Sequence, residues 1–298
     1  MADFQADAFG LVWRSDIPLN FFSPLENRCA DADVRVARVS ALRPRASGIQ
    51  INRGWVYENG IRFAWEDDVA FDMRDGDSID YARGPAWSGD FPDAFYGSVI
   101  ALSLAWRGLL PFHASTVVID GRSVLIAGAS GSGKSTLAAA LTRLGVRWIA
   151  DDLSAVSCDE AGRFRAYPGR AVVRLHAQVG DWIGARERRL AVADPPGKRL
   201  ATLDEAAGSE PHELACIVAL GLPPGLVGGL RRLRLLTQHL FRPRWLSLLP
   251  NAPLRRRQLL TLAEKVPMIG IPAAEIRDVA SFHAHAKTAL ELIRPILP

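Results

Sequence analysis

A glycine-rich segment in the middle of the chain combines the residue types and the spacing of a phosphate-binding loop. Residues 124–136 read VLIAGASGSGKST, an apolar run followed by the pattern Gly-x-x-x-x-Gly-Lys-Ser. The apolar run predicts a strand and the residues from Leu137 onward predict a helix, which is the context that a Walker A motif requires. Glycines in such a loop let backbone N–H groups approach phosphate oxygens, and the N-terminal end of the helix attracts the anion. The residues predicted to bind a nucleoside triphosphate are Gly128, Ser130, Gly131, Ser132, Gly133, Lys134, Ser135 and Thr136.

The lysine and the serine of this motif have separate roles in phosphoryl chemistry. Lys134 can reach the β- and γ-phosphates, and the hydroxyl of Ser135 can bind Mg²⁺. Lysine is scarce in a chain whose cations are mostly arginines, so a lysine inside the loop indicates a function rather than a surface charge. The other lysines are Lys198, Lys265 and Lys287.

A pair of aspartates follows the loop after one predicted helix and one predicted strand. The strand 146–150 ends in Asp151-Asp152 and should deliver both side chains to the sheet edge that carries the loop. Phosphoryl transfer needs a carboxylate near Mg²⁺, and a second carboxylate can accept the proton of an acceptor hydroxyl. We predict that Asp151 and Asp152 divide these roles. His113, which precedes the loop on a strand of the same sheet, can contact phosphate or tune a carboxylate; the alternative is a structural histidine.

The elements around these residues divide the chain into two predicted domains. Residues 1–105 read as short strands separated by turns, among them 9–13 and 34–39, and form a β-rich N-terminal domain that could bind a substrate or partner. The pattern becomes helical from Phe95 to Leu110. Residues 106–298 form the α/β domain that contains the loop. A strand at 112–119 and helices at 229–240, 254–265 and 278–293 belong to it.

Composition places the chain among soluble globular proteins. Hydrophobic residues make up 49% and charged residues 23%, which is an ordinary balance for that class. The most conspicuous apolar run, at 99–106, is too short to span a bilayer. The N-terminus shows no basic region followed by an apolar stretch, so we expect a cytoplasmic protein with no membrane partner. The cysteines Cys29, Cys158 and Cys216 match no metal or redox motif and are expected to be reduced thiols.

The net charge of +4 conceals a basic segment in the C-terminal half. Residues 214–263 contain no acidic side chain, and such a stretch could bind nucleic acid, an acidic peptide or a phosphorylated product. We favour the alternative that it packs against the acidic N-terminal half or stays solvated, because no known nucleic-acid module accompanies it. No nucleic-acid partner is expected. The arginines of the segment are Arg231, Arg232, Arg234, Arg242, Arg244, Arg255, Arg256 and Arg257.

The spacing of His113, the loop and Asp151-Asp152 resembles the catalytic domain of bacterial HPr serine kinase/phosphorylase. The matching segments are FHAS at 112–115, the loop itself and GVRWIADD at 145–152, and the resemblance covers roughly residues 106–160. It implies an α/β (α+β) P-loop kinase fold akin to phosphoenolpyruvate carboxykinase.

The same resemblance implies the cofactors ATP and Mg²⁺ and assigns roles within the site. Lys134 would contact phosphates, and Ser135 would bind the metal with support from Asp151. Asp152 would be the general base toward a serine hydroxyl, and His113 matches the active-site histidine.

One segment departs from the family pattern. The family has a metal-holding glutamate after the acidic pair, whereas residues 166–174 read AYPGRAVVR and contain no carboxylate. Arg170 or Arg174 is predicted to act there as a phosphate- or substrate-binding group. The family's C-terminal segment linked to dephosphorylation is not recognisable either. We therefore expect a stand-alone kinase, similar to the peptide-tailoring kinases that phosphorylate lasso peptide precursors.

The leading prediction is an ATP-dependent serine kinase that acts on a small protein or peptide. A small-molecule kinase is one alternative. A non-catalytic ATP-binding regulator or scaffold is another, and the missing glutamate is the feature that favours it. A homo-oligomer is compatible with the sequence.

Overall fold

The structure, a computed structural model, describes residues 3–26, 31–43, 47–65, 68–187, 197–202 and 210–298. Within these ranges the chain is a mixed α/β fold with two nine-stranded sheets, one three-stranded sheet and seven α-helices. The predicted α/β class is confirmed at this level.

The first sheet belongs to the N-terminal third of the chain. Its strands are β1 (Phe4–Ala8), β2 (Leu11–Ser15), β3 (Ser23–Pro24), β4 (Val34–Arg38), β5 (Ile49–Ile51), β6 (Gly54–Tyr57), β7 (Gly60–Trp65), β8 (Val69–Arg74) and β9 (Ser78–Arg83). They lie in the order β3-β1-β2-β4-β9-β8-β7-β6-β5. Every second residue of β8 faces the core, since Val69, Phe71 and Met73 are buried. The strand predicted at 9–13 is wrong at its start, because Phe9 and Gly10 form the turn between β1 and β2.

A helical segment then leads to the second half of the chain. It begins as a π-helix at Phe95–Val99 and continues as α1 (Ile100–Trp106). The prediction extended this helix to Leu110, whereas the structure ends it at Trp106, because Leu110 already begins a strand that pairs with Val156.

The remaining elements build the second and third sheets and the helices around them. The strands are β10 (Leu110–Phe112), β11 (Ala114–Ile119), β12 (Arg122–Ala127), β13 (Arg147–Ala150), β14 (Ser154–Cys158), β15 (Phe164–Ala166), β16 (Val172–His176), β17 (Arg186–Glu187), β18 (Lys198–Thr202), β19 (His212–Leu220), β20 (Gly225–Leu226) and β21 (Met268–Ile271). The helices are α2 (Lys134–Thr142), α3 (Ala177–Ile183), α4 (Gly229–His239), α5 (Pro243–Leu246), α6 (Ala252–Lys265) and α7 (Val279–Ile293), and a 3₁₀ turn follows at Arg294–Ile296.

The second sheet sets the direction of the strands that matter for the site. Its main path is β10-β14-β15-β19-β12-β11-β13, with β21 beside β19 and β20 beside β21. Strand β11 runs antiparallel to both β12 and β13, so β12 and β13 end at the sheet edge where β11 begins. Strands β16, β18 and β17 form the small third sheet in that order.

Helices α2 and α7 pack together against the second sheet. Ile126 of β12, Leu137 of α2 and Phe282 of α7 belong to one buried cluster. Gly145 follows the end of α2, with φ of 78° and its N–H donating to the Thr142 carbonyl over 3.0 Å. This packing fixes the N-terminus of α2 at the edge of the second sheet.

The larger buried core crosses the predicted domain boundary near residue 105. It joins apolar residues of the first sheet to residues of the second sheet and of α4 to α6. Phe63 of β7 stacks on Trp245 of α5, with ring centroids 4.7 Å apart. The division into 1–105 and 106–298 stays a prediction.

The two cysteines within the described residues differ in burial. Cys158 is half-buried and Cys216 is buried, and both are free thiols; burial raises the pKa of Cys216 to about 12, which makes it a poor nucleophile at neutral pH. Cys29 lies outside the described residues.

No helix in the described part of the chain is both long and apolar enough to cross a membrane.

Part of the basic segment is structural. Arg255 on α6 is 4% exposed and donates to the carbonyls of Leu246 and Ala105 over 2.7 and 3.0 Å. Burial lowers its pKa to about 10, so the guanidinium remains protonated at neutral pH. Arg232 likewise donates to backbone carbonyls, those of Val227 and Ala263. These arginines hold the helices together through backbone carbonyls rather than through acidic side chains.

Arg255 and its neighbour Arg256 offer a matched test of this role. Arg255→Ala should lower the free energy of unfolding by about 2–4 kcal/mol, because it removes the buried hydrogen bonds to Leu246, Ala105 and Asn251 together with the packed stem of the side chain. Arg256→Ala, at an exposed position on the same helix, should change it by less than about 0.5 kcal/mol. Urea denaturation measures both, and equal effects would contradict the structural role of Arg255.

Candidate functional site

Residues 128–133, called here the glycine loop, connect β12 to α2. Gly131 and Gly133 have φ of 77° and 93°, in the left-handed region that favours glycine. Gly128 lies so close to its surroundings that a Cβ there would be 2.6 Å from Ser132 Oγ and 3.1 Å from the Leu220 carbonyl oxygen. The loop therefore has the conformation that its glycines predict, between a strand and the N-terminus of a helix.

Lys134 is the first residue of α2 and lies under the glycine loop. Its side chain is 7% exposed, and Nζ donates to the carbonyls of Gly128 and Ala129, each over 3.1 Å. Burial lowers the pKa of the ammonium group, and the negative charges of Asp151 and Asp152 oppose that effect. An anion bound at the loop would compensate this buried positive charge.

Asp151 follows β13 and meets Ser135 in the interior. Ser135 Oγ lies 2.9 and 3.1 Å from the two carboxylate oxygens, and Ser115 Oγ donates to Oδ1 over 2.5 Å. The carboxyl group is 4% exposed. Burial raises its pKa, and the charge of Asp152 adds to the rise, which exceeds the lowering by the two serine hydroxyls and Arg170. Its negative charge is therefore incompletely compensated.

This pair of oxygen ligands fits Mg²⁺. A buried carboxylate with uncompensated charge, beside a hydroxyl, is the donor set that a hard cation prefers, and Mg²⁺ takes its other ligands from phosphates and water. Among the described residues there is no cluster of three or more His, Cys, Asp or Glu placed to hold a metal. Ser135 and Asp151 would thus bind the metal together with the nucleotide.

The raised pKa of Asp151 predicts an effect on stability without nucleotide or metal. Its folded pKa lies above the unfolded value of 3.8, so the fold favours the protonated, neutral carboxyl group. The stability that this group contributes is fully present below pH 3.8 and is lost as the pH rises through the folded pKa. Asp151→Asn should therefore raise the melting temperature at pH 7. Asp181→Asn, an exposed control on α3, should leave it unchanged. A lower melting temperature for Asp151→Asn alone would contradict this electrostatic account.

Asp152 has the opposite electrostatic environment. It has φ of 64°, and its side chain is 43% exposed and contacts Arg170 Nη2 at 2.5 Å and His113 Nδ1 at 3.1 Å. Burial alone would raise its pKa, but the hydrogen bond with His113 and the charge of Arg170 hold the pKa below its usual range. Asp152 therefore stays ionised at neutral pH and faces the cavity.

His113 lies between β10 and β11, where the sequence predicted one unbroken strand. Its backbone N–H donates to the His239 carbonyl over 2.8 Å, which replaces a strand partner. Because β11 begins where β12 and β13 end, His113 lies at the same sheet edge as the glycine loop and Asp152.

These residues surround a cavity of about 330 Å³. From the loop and the start of α2, its lining includes Ser130, Gly131, Gly133, Lys134, Ser135 and Thr136. Of the other predicted site residues, it includes His113, Asp151, Asp152, Arg170 and Arg174. Gly128 and Ser132, though part of the loop, do not line the cavity, and Ser132 Oγ is buried with no hydrogen-bond partner among the described residues.

The N-terminal region contributes residues to this cavity that the sequence did not predict. Phe21 and Asp93 line it, together with His176 and Lys198 of the third sheet. Asp93 forms an ion pair with Arg174 and lies 3.8 Å from Arg170. Phe21 and Asp93 belong to no local sequence motif. Only the packing of distant parts of the chain brings them to the cavity, so no signal in the sequence marks them.

Comparisons with known proteins find a family match over part of the chain and a number of similar solved structures. Residues 97–181 match the family described as SynChlorMet cassette protein ScmC, a stretch that contains the glycine loop and the aspartate pair but less than half of the chain. The HPr(Ser) kinase/phosphatase from Coxiella burnetii is similar at 18% identity and a TM-score of 0.34, over 62% of this chain and 94% of that chain. No curated protein matches significantly.

Proposed function

We propose that this protein is an ATP-dependent phosphotransferase that moves the γ-phosphoryl group of ATP to a serine-type hydroxyl on a small protein or peptide. The observation that carries the proposal is the convergence of three features on one cavity. These are a glycine loop with a buried lysine, a buried Asp151–Ser135 pair and an ionised Asp152. Each feature meets a separate need of phosphoryl transfer.

The loop and α2 would bind the phosphates. Backbone N–H groups of the loop and the N-terminus of α2 attract anions, and Lys134 would exchange its two loop carbonyls for phosphate oxygens. Mg²⁺, held by Ser135 and Asp151, would neutralise phosphate charge when bound. Because the loop is fixed between β12 and α2, its backbone N–H groups are in position before the phosphate arrives, which is the form of electrostatic stabilisation that costs least reorganisation.

Asp152 would act at the acceptor end of the cavity. In the proposed reaction the acceptor oxygen forms a bond to the γ-phosphorus, and the bond from that phosphorus to the β–γ bridging oxygen breaks. The hydroxyl proton passes to the Asp152 carboxylate, and ADP leaves with the electron pair of the broken bond. His113 and Arg170 keep this carboxylate ionised and oriented. Its lowered pKa makes it a weak base, so it would take the proton late in the loose transition state and would also orient the acceptor hydroxyl for attack.

The choice of a peptide acceptor has a different support. The match of residues 97–181 to a cassette protein family fits a peptide-tailoring context. The cavity is also lined by Phe21 and Asp93 of the N-terminal region, so the acceptor would contact both halves of the chain.

An acceptor screen tests this proposal. Purified protein is incubated with Mg²⁺, ATP labelled at the γ-phosphate, serine-containing peptides and small hydroxyl compounds. The expected result is a labelled peptide that loses its label under conditions that hydrolyse phosphoserine. Label on small compounds alone would favour a small-molecule kinase. ATP binding with transfer to no acceptor would favour a regulator or scaffold.

A further inference from the structure

The cavity contains a second charged group of residues besides those proposed to act on the nucleotide. Asp93 precedes the π-helix at Phe95–Val99, and its carboxylate lies beside two guanidinium groups, those of Arg170 and Arg174. The side chains of the two arginines are 4% and 15% exposed, whereas that of Asp93 is 45% exposed. The cations are therefore fixed in the wall, and the anion lies at the solvent side.

Both guanidinium groups also pack on the same aromatic ring. Their central carbons lie 5.8 and 5.7 Å from the centroid of Phe21. Phe21 is itself held by a stacked Tyr96, with centroids 4.3 Å apart. Two arginines in such proximity repel each other, and an anion between them offsets that repulsion. Asp93 supplies this anion in the structure.

Arg170 connects this group to the proposed base. Its Nη2 contacts Asp152 at 2.5 Å, while its Nη1 lies 3.8 Å from Asp93. One planar guanidinium therefore has the proposed base on one nitrogen and the Asp93 carboxylate near the other. An oxyanion in the place of Asp93 would lie only a few bonds from a hydroxyl that reaches Asp152.

We infer that Arg170 and Arg174 form an oxyanion subsite for the acceptor and that Asp93 occupies it when the acceptor is absent. The acceptor class that follows is a hydroxyl compound or residue with a carboxylate a few bonds from the hydroxyl. Arginine pairs bind carboxylates through charge-assisted hydrogen bonds. On acceptor binding the exposed Asp93 side chain turns to solvent. This inference rests on the proposed function, since it assigns the acceptor end of the same cavity.

A phosphate of the nucleotide is the other oxyanion that two arginines could bind. The two sources are distinguishable. If the arginines bind the acceptor, a carboxylate probe binds together with the nucleotide. If they bind a nucleotide phosphate, the probe and the nucleotide compete for the same site. The experiment therefore includes arms with and without a saturating non-hydrolysable ATP analogue and Mg²⁺.

The test uses two probes that share a hydroxyl and differ in one charge, N-acetylserine and N-acetylserinamide. Their affinities are measured by NMR titration for the wild type, Asp93→Asn and Asp181→Asn, which removes the same charge at an exposed site on α3. We expect Asp93→Asn to bind N-acetylserine about 5- to 10-fold more tightly than the wild type, with the nucleotide analogue bound. The amide probe and Asp181→Asn should show no such gain.

Arg174→Gln should remove the preference for the carboxylate probe, and thermal unfolding confirms that each variant is folded. If Arg174→Gln does not fold, the comparison of probe affinity between Asp93→Asn and Asp181→Asn still tests the inference. Unchanged affinity in Asp93→Asn overturns the inference, and so does competition between N-acetylserine and the nucleotide analogue. If the analogue does not bind at all, the proposed function fails, while the nucleotide-free arm still tests the subsite.

Discussion

Replacement of Lys134 by methionine should lower the rate of phosphoryl transfer at least about 100-fold and weaken Mg·ATP binding. The reason is that loss of one hydrogen-bond donor to transition-state charge lowers the rate about 10²–10³-fold, and Lys134 would supply a positive charge as well. Methionine keeps the length of the buried stem, so the packing under the glycine loop is preserved. The melting temperature should fall by a few degrees, because methionine cannot donate to the carbonyls of Gly128 and Ala129. Single-turnover transfer, titration calorimetry and thermal unfolding measure the three effects.

Lys287→Met is the control for this change. Lys287 is exposed on α7 and does not line the cavity, so its replacement should leave transfer and nucleotide affinity unchanged. Wild-type transfer by Lys134→Met would show that the loop lysine does not contact the reacting phosphate.

Asp152→Asn should lower the rate of transfer about 10²–10⁴-fold, which is the range for loss of a general base. Nucleotide affinity should change little, because the proposed metal ligands are Ser135 and Asp151. The effect should therefore fall on kcat, with the dissociation constant of Mg·ATP close to that of the wild type. Rapid-quench measurement of transfer, paired with calorimetric titration of a non-hydrolysable ATP analogue, separates the two quantities.

Asp120→Asn is a matched control for the aspartate. Asp120 also has a positive φ, of 51°, and its side chain is 64% exposed in a hairpin turn away from the cavity. Asparagine tolerates such a conformation as aspartate does, so this control should have wild-type activity. If Asp152→Asn transfers phosphate at the wild-type rate, Asp152 is not the base.

The site residues on contiguous motifs could be predicted from the sequence. The glycine loop has a local pattern, and the order strand, loop, helix, strand brings Asp151 and Asp152 to the edge where the loop lies. His113 was predicted on the same sheet, and the structure brings it within 3.1 Å of Asp152. The chemical roles of these residues stay predictions until the substitutions above are made.

The rest of the cavity could not be predicted, because it depends on contacts between distant parts of the chain. Asp93 lies almost 80 residues before Arg170 and carries no pattern that marks it as a partner. Ser115 belongs to the segment FHAS without a predicted role, yet its hydroxyl donates to Asp151. Such contacts follow from tertiary packing, between neighbouring strands of the second sheet for Ser115 and between distant parts of the chain for Asp93, and no local periodicity encodes them.

The basic segment illustrates the same limit in another way. Its composition allowed either a binding surface or a structural role. The structure separates its members, since Arg255 is buried against backbone carbonyls while Arg256, one residue later, is exposed. Charge density in a sequence therefore does not tell which arginines are available to a partner.

The most direct test of the central claim is a crystal structure of the protein with a non-hydrolysable ATP analogue and Mn²⁺ in place of Mg²⁺. The account predicts that the phosphates lie against the glycine loop and Lys134, and that an anomalous Mn²⁺ peak lies between Ser135 and Asp151. The Asp152 carboxylate should face the γ-phosphate. A nucleotide bound elsewhere, or bound at the loop with its γ-phosphate directed away from Asp152, would contradict the account.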